Sequence, residues 1–282
     1  TALSLDHADG TLFTGKDLDI DVERRAGLLP GENKEKVPEK VALTLPSVTV
    51  PDISVYQSYL PDKWNAKLVS GSGSLDGKAE LSAANADFDL TLKSDDAKVA
   101  FKDDAFETGL TLVVAAKGTA GDKTAEIDFT GTRLELDDSK LKTGEGGDSA
   151  PWQTNLAITK GTAQFALPEQ DEAAGFVGFW SLFHGKELKT MLASLDADLE
   201  ATLRVSDLNW VNLFFKNPYS LAVYSSAEVT ADLVLQTGHL AAGSNIKMPS
   251  QDFRVEILDY VAEGDGGFDL SVEQGGEDPD LN

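Results

Sequence analysis

The 282-residue chain carries 48 acidic against 24 basic side chains, for a net charge of −24 and a pI near 4.3. That balance argues against nucleic acid as a partner, which needs a basic footprint, and against polybasic attachment to anionic lipid head groups. The absence of cysteine excludes disulfides, thiolate nucleophiles and cysteine-ligated metals, while 41 % apolar residues is too many for a disordered chain.

Residue 1 stands directly before a strand-like run (Ala2, Leu3, Leu5), so the stretch is expected to begin inside a longer, exported protein whose signal or anchor lies outside it. Residues 2–24 read as two strands joined around Asp9-Gly10, with Leu18, Ile20 and Val22 alternating against Asp17, Asp19 and Asp21. A polar loop at 27–40 precedes strand signals at Val41, Leu43, Leu45 and at Val48, Val50. A short helix is expected at 52–60, with Asp52 as N-cap and Ile53, Tyr56, Tyr59 and Leu60 on one face.

A meander follows through Leu68, Leu81, Phe88–Leu92, Val99–Phe101, Leu110–Val114, Ile127–Phe129 and Leu134–Leu136. Its turns are expected at Asp103-Asp104, Gly118 and Gly121-Asp122. Residues 143–151 form the clearest flexible link. Beyond two further strands, 173–192 changes period: Phe176, Phe179, Trp180 and Phe183, then Leu188, Met191 and Leu192, have helical spacing. The strongest alternation comes next, at Leu195, Ala197, Leu199, Ala201, Leu203 and Val205, with Asp196, Asp198, Glu200, Thr202 and Arg204 between them. A helix after Asp207 carries Trp210, Val211, Phe214 and Phe215 and stops at Pro218. The last meander, with Val229, Ala231 and Leu233, runs to Val272 before an acidic tail expected to fray.

The two halves echo one another. Val50-Pro51-Asp52-Ile53 opens the first short helix and Val205-Ser206-Asp207-Leu208 the second; each is followed by small residues and a long alternating strand, Leu75-x-Gly77-x-Ala79-x-Leu81 or Val229-x-Ala231-x-Leu233. The run Gly71-Ser-Gly73-Ser-Leu75-Asp-Gly77-Lys-Ala79-Glu-Leu81, and the similar run from Val229 to Ile246, resemble the glycine-rich strand pairs of the AsmA-like superfamily of bacterial envelope proteins, which includes the TamB, YhdP and YdbH types. The resemblance spans nearly the whole chain and rests on style more than on any one motif. It implies a periplasmic protein tethered to the inner membrane of a Gram-negative bacterium, with a long β-sheet folded into a groove that carries phospholipid acyl chains. The tether would lie outside this stretch, and the family offers no catalytic residues to transfer.

No chemistry competes with that reading. His7, His184 and His239 have no partner at metal-ligand spacing. Gly71-x-Gly73-x-x-x-Gly77 lacks the helix and the lysine of a phosphate loop and reads as a strand bend or bulge. Asp17, Asp19 and Asp21 read as the solvent face of a strand, and Gly264–Asp269 as a turn.

The expected fold is therefore mainly β: a long, twisted antiparallel sheet curled or folded into a groove, with two or three short helices. Residues 1–142 would form a first β unit, 143–151 a link, 152–273 a second unit with helices near 173–192 and 207–215, and 274–282 a tail. The expected function is non-catalytic, needing no cofactor and no metal. Phe176, Phe179, Trp180 and Phe183 would serve as core or gate, and Leu195, Leu199, Leu203, Val229 and Leu233 would line the acyl-binding face. The small residues Ala79, Ala197, Ala201 and Ala231 would leave room for a ligand. The alternative is an adhesin or carbohydrate-binding β-sandwich, against which the loops at 27–40 and 143–150 carry few aromatics.

Overall fold

The structure is a computed structural model describing residues 3–7, 10–16, 18–23, 40–59, 66–82, 84–101, 104–121, 123–143, 147–148, 151–166, 195–208, 222–258, 260–274 and 280–281. The helices expected near 173–192 and 207–215 lie outside these residues, apart from Asp207 and the single 3-10 position Leu208.

Mainly-β character follows from the alternation. The strands are β1 (Leu3–His7), β2 (Gly10–Gly15), β3 (Asp19–Glu23), β4 (Lys40–Val50), β5 (Ala66–Ser70), β6 (Gly73–Ser82), β7 (Asn85–Phe101), β8 (Asp104–Ala120), β9 (Thr124–Asp128) and β10 (Arg133–Thr143). They continue as β11 (Gly147–Asp148), β12 (Trp152–Ala166), β13 (Asp196–Val205), β14 (Ala222–Tyr224), β15 (Ala227–Gln236), β16 (His239–Leu240), β17 (Asn245–Ile257), β18 (Tyr260–Gln274) and β19 (Asp280–Leu281). Seventeen of them make one antiparallel sheet, and the two-residue strands β11 and β19 each attach to a single neighbour. Pairing runs serially from β1 to β18, with β5 and β6 sharing one edge of β7, and β9 and β10 sharing one edge of β8. Among the described residues β1 and β18 share no ladder.

Several expectations change in detail. Val41–Leu45 and Val48–Val50 are one strand, β4, kinked at Ser47, which has φ 64°. Gly118 makes no turn: it sits within β8, opposite Ala86 and Ile127. Gly264–Asp269 is strand, not turn; the Phe253 ring of β17 lies where a Cβ on Gly266 would be, at 2.1 Å from Cε1, so that glycine serves packing. The helix at 52–60 is a 3-10 helix, Ile53–Tyr59. Asp52 does cap it, its Oδ1 accepting from the Ser54 N–H at 2.9 Å. Residues 143–151 connect strands that are direct neighbours, β10 and β12, and the sheet passes through this point without interruption.

One organising feature was not foreseen. Register shifts fall between Ser94 and Ala97 of β7, between Asp137 and Lys140 of β10, and between Met248 and Gln251 of β17. Breaks between strands continue them at Gly71-Ser72 and at Ser225-Ser226. Together they make a seam across the sheet where side chains replace ladder bonds. The Ser72 N–H donates to Asp96 Oδ1 (2.8 Å), the Thr108 and Ser139 hydroxyls lie 2.8 Å apart, the Gln153 N–H donates to Ser206 Oγ (2.8 Å), and Ser225 Oγ donates to the Asp252 carbonyl (2.6 Å). Ser94, Thr108 and Ser139 are buried, so their hydroxyls need these partners. A bulge bends its strand, and bulges in line crease a sheet.

The echo read from the sequence has a structural counterpart at this seam. The Ile53 N–H donates to the Gly71 carbonyl at 2.7 Å, and the Leu208 N–H donates to the Ser225 carbonyl at 2.7 Å. In the first unit β4 is followed by β5 and β6, which lie on either side of the seam and both pair with β7; in the second, β13 is followed by β14 and β15, which both pair with β17. Then β7 turns into β8, and β17 into β18.

Candidate functional site

Because cross-strand partners share a face, the registers assemble the alternating apolar residues into rows. The longest crosses eight strands: Val48, Leu75, Leu92, Leu112, Leu134, Leu156, Leu203 and Val229, each opposite the next. With strands about 4.8 Å apart, the row is roughly 34 Å long. A second row runs Ile158, Ala201, Ala231, Ile246, Leu270, and a third Gly161, Leu199, Leu233. Of the small residues expected to leave room, Ala197, Ala201 and Ala231 stand in these rows or in the neighbouring one through Ala163 and Leu235, Ala79 stands apart between Leu43 and Phe88, and all four are half-buried.

Among the described residues the face is buried at one end and partly exposed at the other. Under the first repeat, Phe13 and the 3-10 helix close it. Val48, Val50 and Ile53 are almost completely buried, and the Tyr56 hydroxyl donates to the Leu12 carbonyl at 3.0 Å, fixing the helix over β2. Beyond β10 the same row emerges: Leu156 is 37 % exposed, and Leu199, Leu203, Val229 and Leu233 are half-buried and belong to neither buried cluster. At the last strand Phe268 and Leu270 are 40 % and 42 % exposed.

Of the residues singled out from the sequence, Leu199 faces Leu233 and Leu203 faces Val229 directly across β13 and β15. Leu195 stands just before β13 and packs against the cluster of Leu81, Ala86, Ala125 and Phe165. Phe176, Phe179, Trp180 and Phe183 lie outside the described residues. Leu134, Leu156, Ile158 and Ile246 belong to the same face and were not singled out. Pairing alone reveals them, since each sits in a run whose alternation was already legible. At the opposite end, Ile20 and Val22 of β3 are exposed together with their acidic neighbours, so both faces of that strand meet solvent.

The other face is polar. Its cross-strand row Glu135, Asn155, Arg204, Glu228 borders a groove of about 600 Å3 at the seam, joined by Gln153 and Gln251. Arg204 Nε and Glu228 Oε2 lie 2.7 Å apart across it, an exposed pair of small energetic weight. The groove lines up donors and acceptors. Among the described residues no group of three His, Asp or Glu side chains is placed to hold a metal, and no helix is long and apolar enough to cross a membrane.

Shifted acidities sit along the seam and the last ladder. The Ser72 N–H, with the hydroxyls of Ser94 and Ser72, holds the Asp96 carboxyl below its ordinary range. Asp265 is pushed up because Asp252 faces it across β17–β18, so one carboxyl favours keeping its proton. Neither group stands in the apolar rows. Comparisons with protein-family models, with curated proteins and with solved structures each found no match to this chain.

Proposed function

We propose that this chain is a non-catalytic envelope protein that binds phospholipid acyl chains along the apolar face of its sheet, in the periplasm. The observation that carries the reading is the eight-strand row from Val48 to Val229, buried under the first repeat and half-open from Leu156 onward. An apolar strip some 34 Å long is about twice the span of one lipid tail, which fills half of a hydrocarbon core of about 30 Å, and suits long apolar chains rather than a small polar substrate. Removing a methylene from water there contributes about 0.8 kcal/mol, so a tail needs no specific polar contact to be held. Alanine at 197, 201 and 231 leaves width beside the leucines. The resemblance of the glycine-rich strand pairs to AsmA-like sequences supports the compartment and the ligand class. The test is native mass spectrometry of protein purified from a Gram-negative host without detergent. Phospholipid masses retained on the chain support the reading; a clean apo mass for the wild type overturns it.

A further inference from the structure

The hairpin that joins β17 to β18 ends in an apolar tip. Its last two pairs are Glu256 with Val261 and Ile257 with Tyr260, leaving Leu258-Asp259 as the connection. Ile257 is 40 % exposed, Leu258 62 %, Tyr260 74 % and Val261 55 %. Because paired residues share a face, Ile257 and Tyr260 stand on one side of the hairpin and Val261 on the other. Apolar side chains therefore meet solvent on both faces at once, where a sheet beside water ordinarily keeps one face polar. Leu258 stands at φ 54°, a left-handed position that suits Gly, Asn or Asp in so short a connection. An apolar side chain is thus kept at the turn against the preference of the backbone.

The first repeat supplies the comparison. Beyond the seam bulge β7 and β8 run for five pairs, from Ala97 with Thr108 to Phe101 with Asp104, and the residues between are the charged Lys102-Asp103. From the corresponding point β17 and β18 run for seven pairs, from Gln251 with Gly266 to Ile257 with Tyr260. The two added pairs lengthen the hairpin by about 7 Å, and the exposed apolar residues lie in them and in the turn they carry. Strand β14 pairs with β17 only as far as Glu256, so among the described residues Ile257 has no strand neighbour other than β18.

We propose that this tip seats in the surface of a zwitterionic lipid bilayer, at the boundary between head groups and acyl chains. The two-sided exposure selects a membrane. A protein surface laid against one face leaves the apolar residues of the other in water, whereas a bilayer surrounds an inserted tip on every side. The added length is comparable with the roughly 5–10 Å to which apolar side chains enter that boundary, and Tyr260 suits it with an apolar ring and a polar hydroxyl. Charge selects the lipid. Asp259 is the one charged residue from Ile257 to Val261, and behind the tip Glu256 and Glu263 share Arg254, in a chain of net charge −24. Anionic head groups repel such a collar, and a carboxylate in the turn holds entry to the boundary, since it is costly deeper in hydrocarbon.

The chain has no cysteine, so Leu258→Cys carries a single environment-sensitive nitrobenzoxadiazole label on the whole protein. With vesicles of phosphatidylcholine and phosphatidylethanolamine, a saturable rise and blue shift of its emission is expected, quenched by nitroxide placed high on the acyl chains. The same label at Glu126→Cys, exposed on β9, should not respond. In vesicle flotation the unlabelled double variant Leu258→Asp/Val261→Asp should bind at least about tenfold less than wild type, with its circular dichroism unchanged because both positions are exposed. Adding phosphatidylglycerol should not strengthen binding. An unresponsive label at 258, an equal response at 126, or flotation unchanged in the double variant would overturn the proposal. So would a blue shift that follows protein concentration without vesicles, which would name a second copy as the cover. Phospholipid retained along the apolar rows is read separately, by the mass of the detergent-free chain, and neither result entails the other.

Discussion

Gly77 offers the sharpest check on how closely the strands of the first repeat approach one another. It lies in β6 at φ +133°, opposite Leu90, and a Cβ built on it would stand 2.0 Å from the Asp89 carbonyl oxygen and 2.9 Å from Leu90 Cα. Those are backbone atoms of the partner strand and cannot swing aside. Gly77→Ala therefore incurs two penalties: about 1–3 kcal/mol for an L-residue held at that φ, and about 1–3 kcal/mol for forcing the two strands apart. Two other glycines separate the terms. Gly243, at φ +97° with nothing within 4 Å of its added Cβ, carries the strain alone, so Gly243→Ala should lose roughly 1–3 kcal/mol. Gly264 has neither positive φ nor neighbour, so alanine there should be neutral or stabilise by about 0.4–1 kcal/mol through the unfolded chain. Urea unfolding followed by far-ultraviolet circular dichroism should rank the midpoints Gly264→Ala, Gly243→Ala, Gly77→Ala from high to low. If Gly77→Ala is no worse than Gly243→Ala, β6 and β7 do not meet at this closeness, and the account of this glycine as a contact requirement fails.

Leu199→Asp places a carboxylate against Leu233 and Gly161 and should abolish soluble expression or lower the melting temperature steeply. Asp198→Asn loses only the exposed pair with Lys160 and should change it by a degree or so; equal tolerance at both sites would refute the assignment of faces. Ser139→Ala removes a fully buried hydroxyl from Thr108, which keeps the Asp137 carbonyl as a partner, so a loss of about 1 kcal/mol is expected in denaturant titration and a loss near zero would deny the seam a stabilising role. Because the carboxyl of Asp96 is lowered in the folded chain, its contribution is complete above the unfolded value near 3.9 and drains away as pH falls through the folded value. Melting temperatures measured from pH 5 to pH 2.5 should therefore fall less steeply for Asp96→Asn than for the wild type, and parallel curves would contradict the hydrogen bonding described.

How far the sequence could be read depended on the range of the physics involved. Period-two alternation is local, and it located β13 and β15 closely enough that Leu199 meets Leu233 and Leu203 meets Val229. The repeat was legible for the same reason, since Asp52-Ile53 and Asp207-Leu208 begin alike and their amides make the same bond across the seam. The seam itself was not legible. Ser94, Thr108 and Ser139 look like ordinary polar positions in strands, and only the register of three different strands brings them to one line. Glycine misled in both directions. Gly264 through Gly267 carry every local mark of a turn, yet Gly266 is there to clear the Phe253 ring of another strand, and Gly118 sits flat inside β8. The open end of the apolar face also depended on coverage by other segments, which composition does not encode.

The serial order of the strands has a mechanical consequence. Every pairing joins strands no more than three apart in chain order, so each part of the sheet is built from nearby stretches of chain despite its size. A chain of this kind can assemble hairpin by hairpin in the order in which it is synthesised or threaded through a membrane pore, each finished strand templating the next. The converse also holds. Tension applied between the first and last strands loads the ladders one after another, like a zipper opened from its ends, and not all at once in shear. Such a sheet should lengthen in steps and re-form when slack returns, giving under load without losing the middle of its apolar face first.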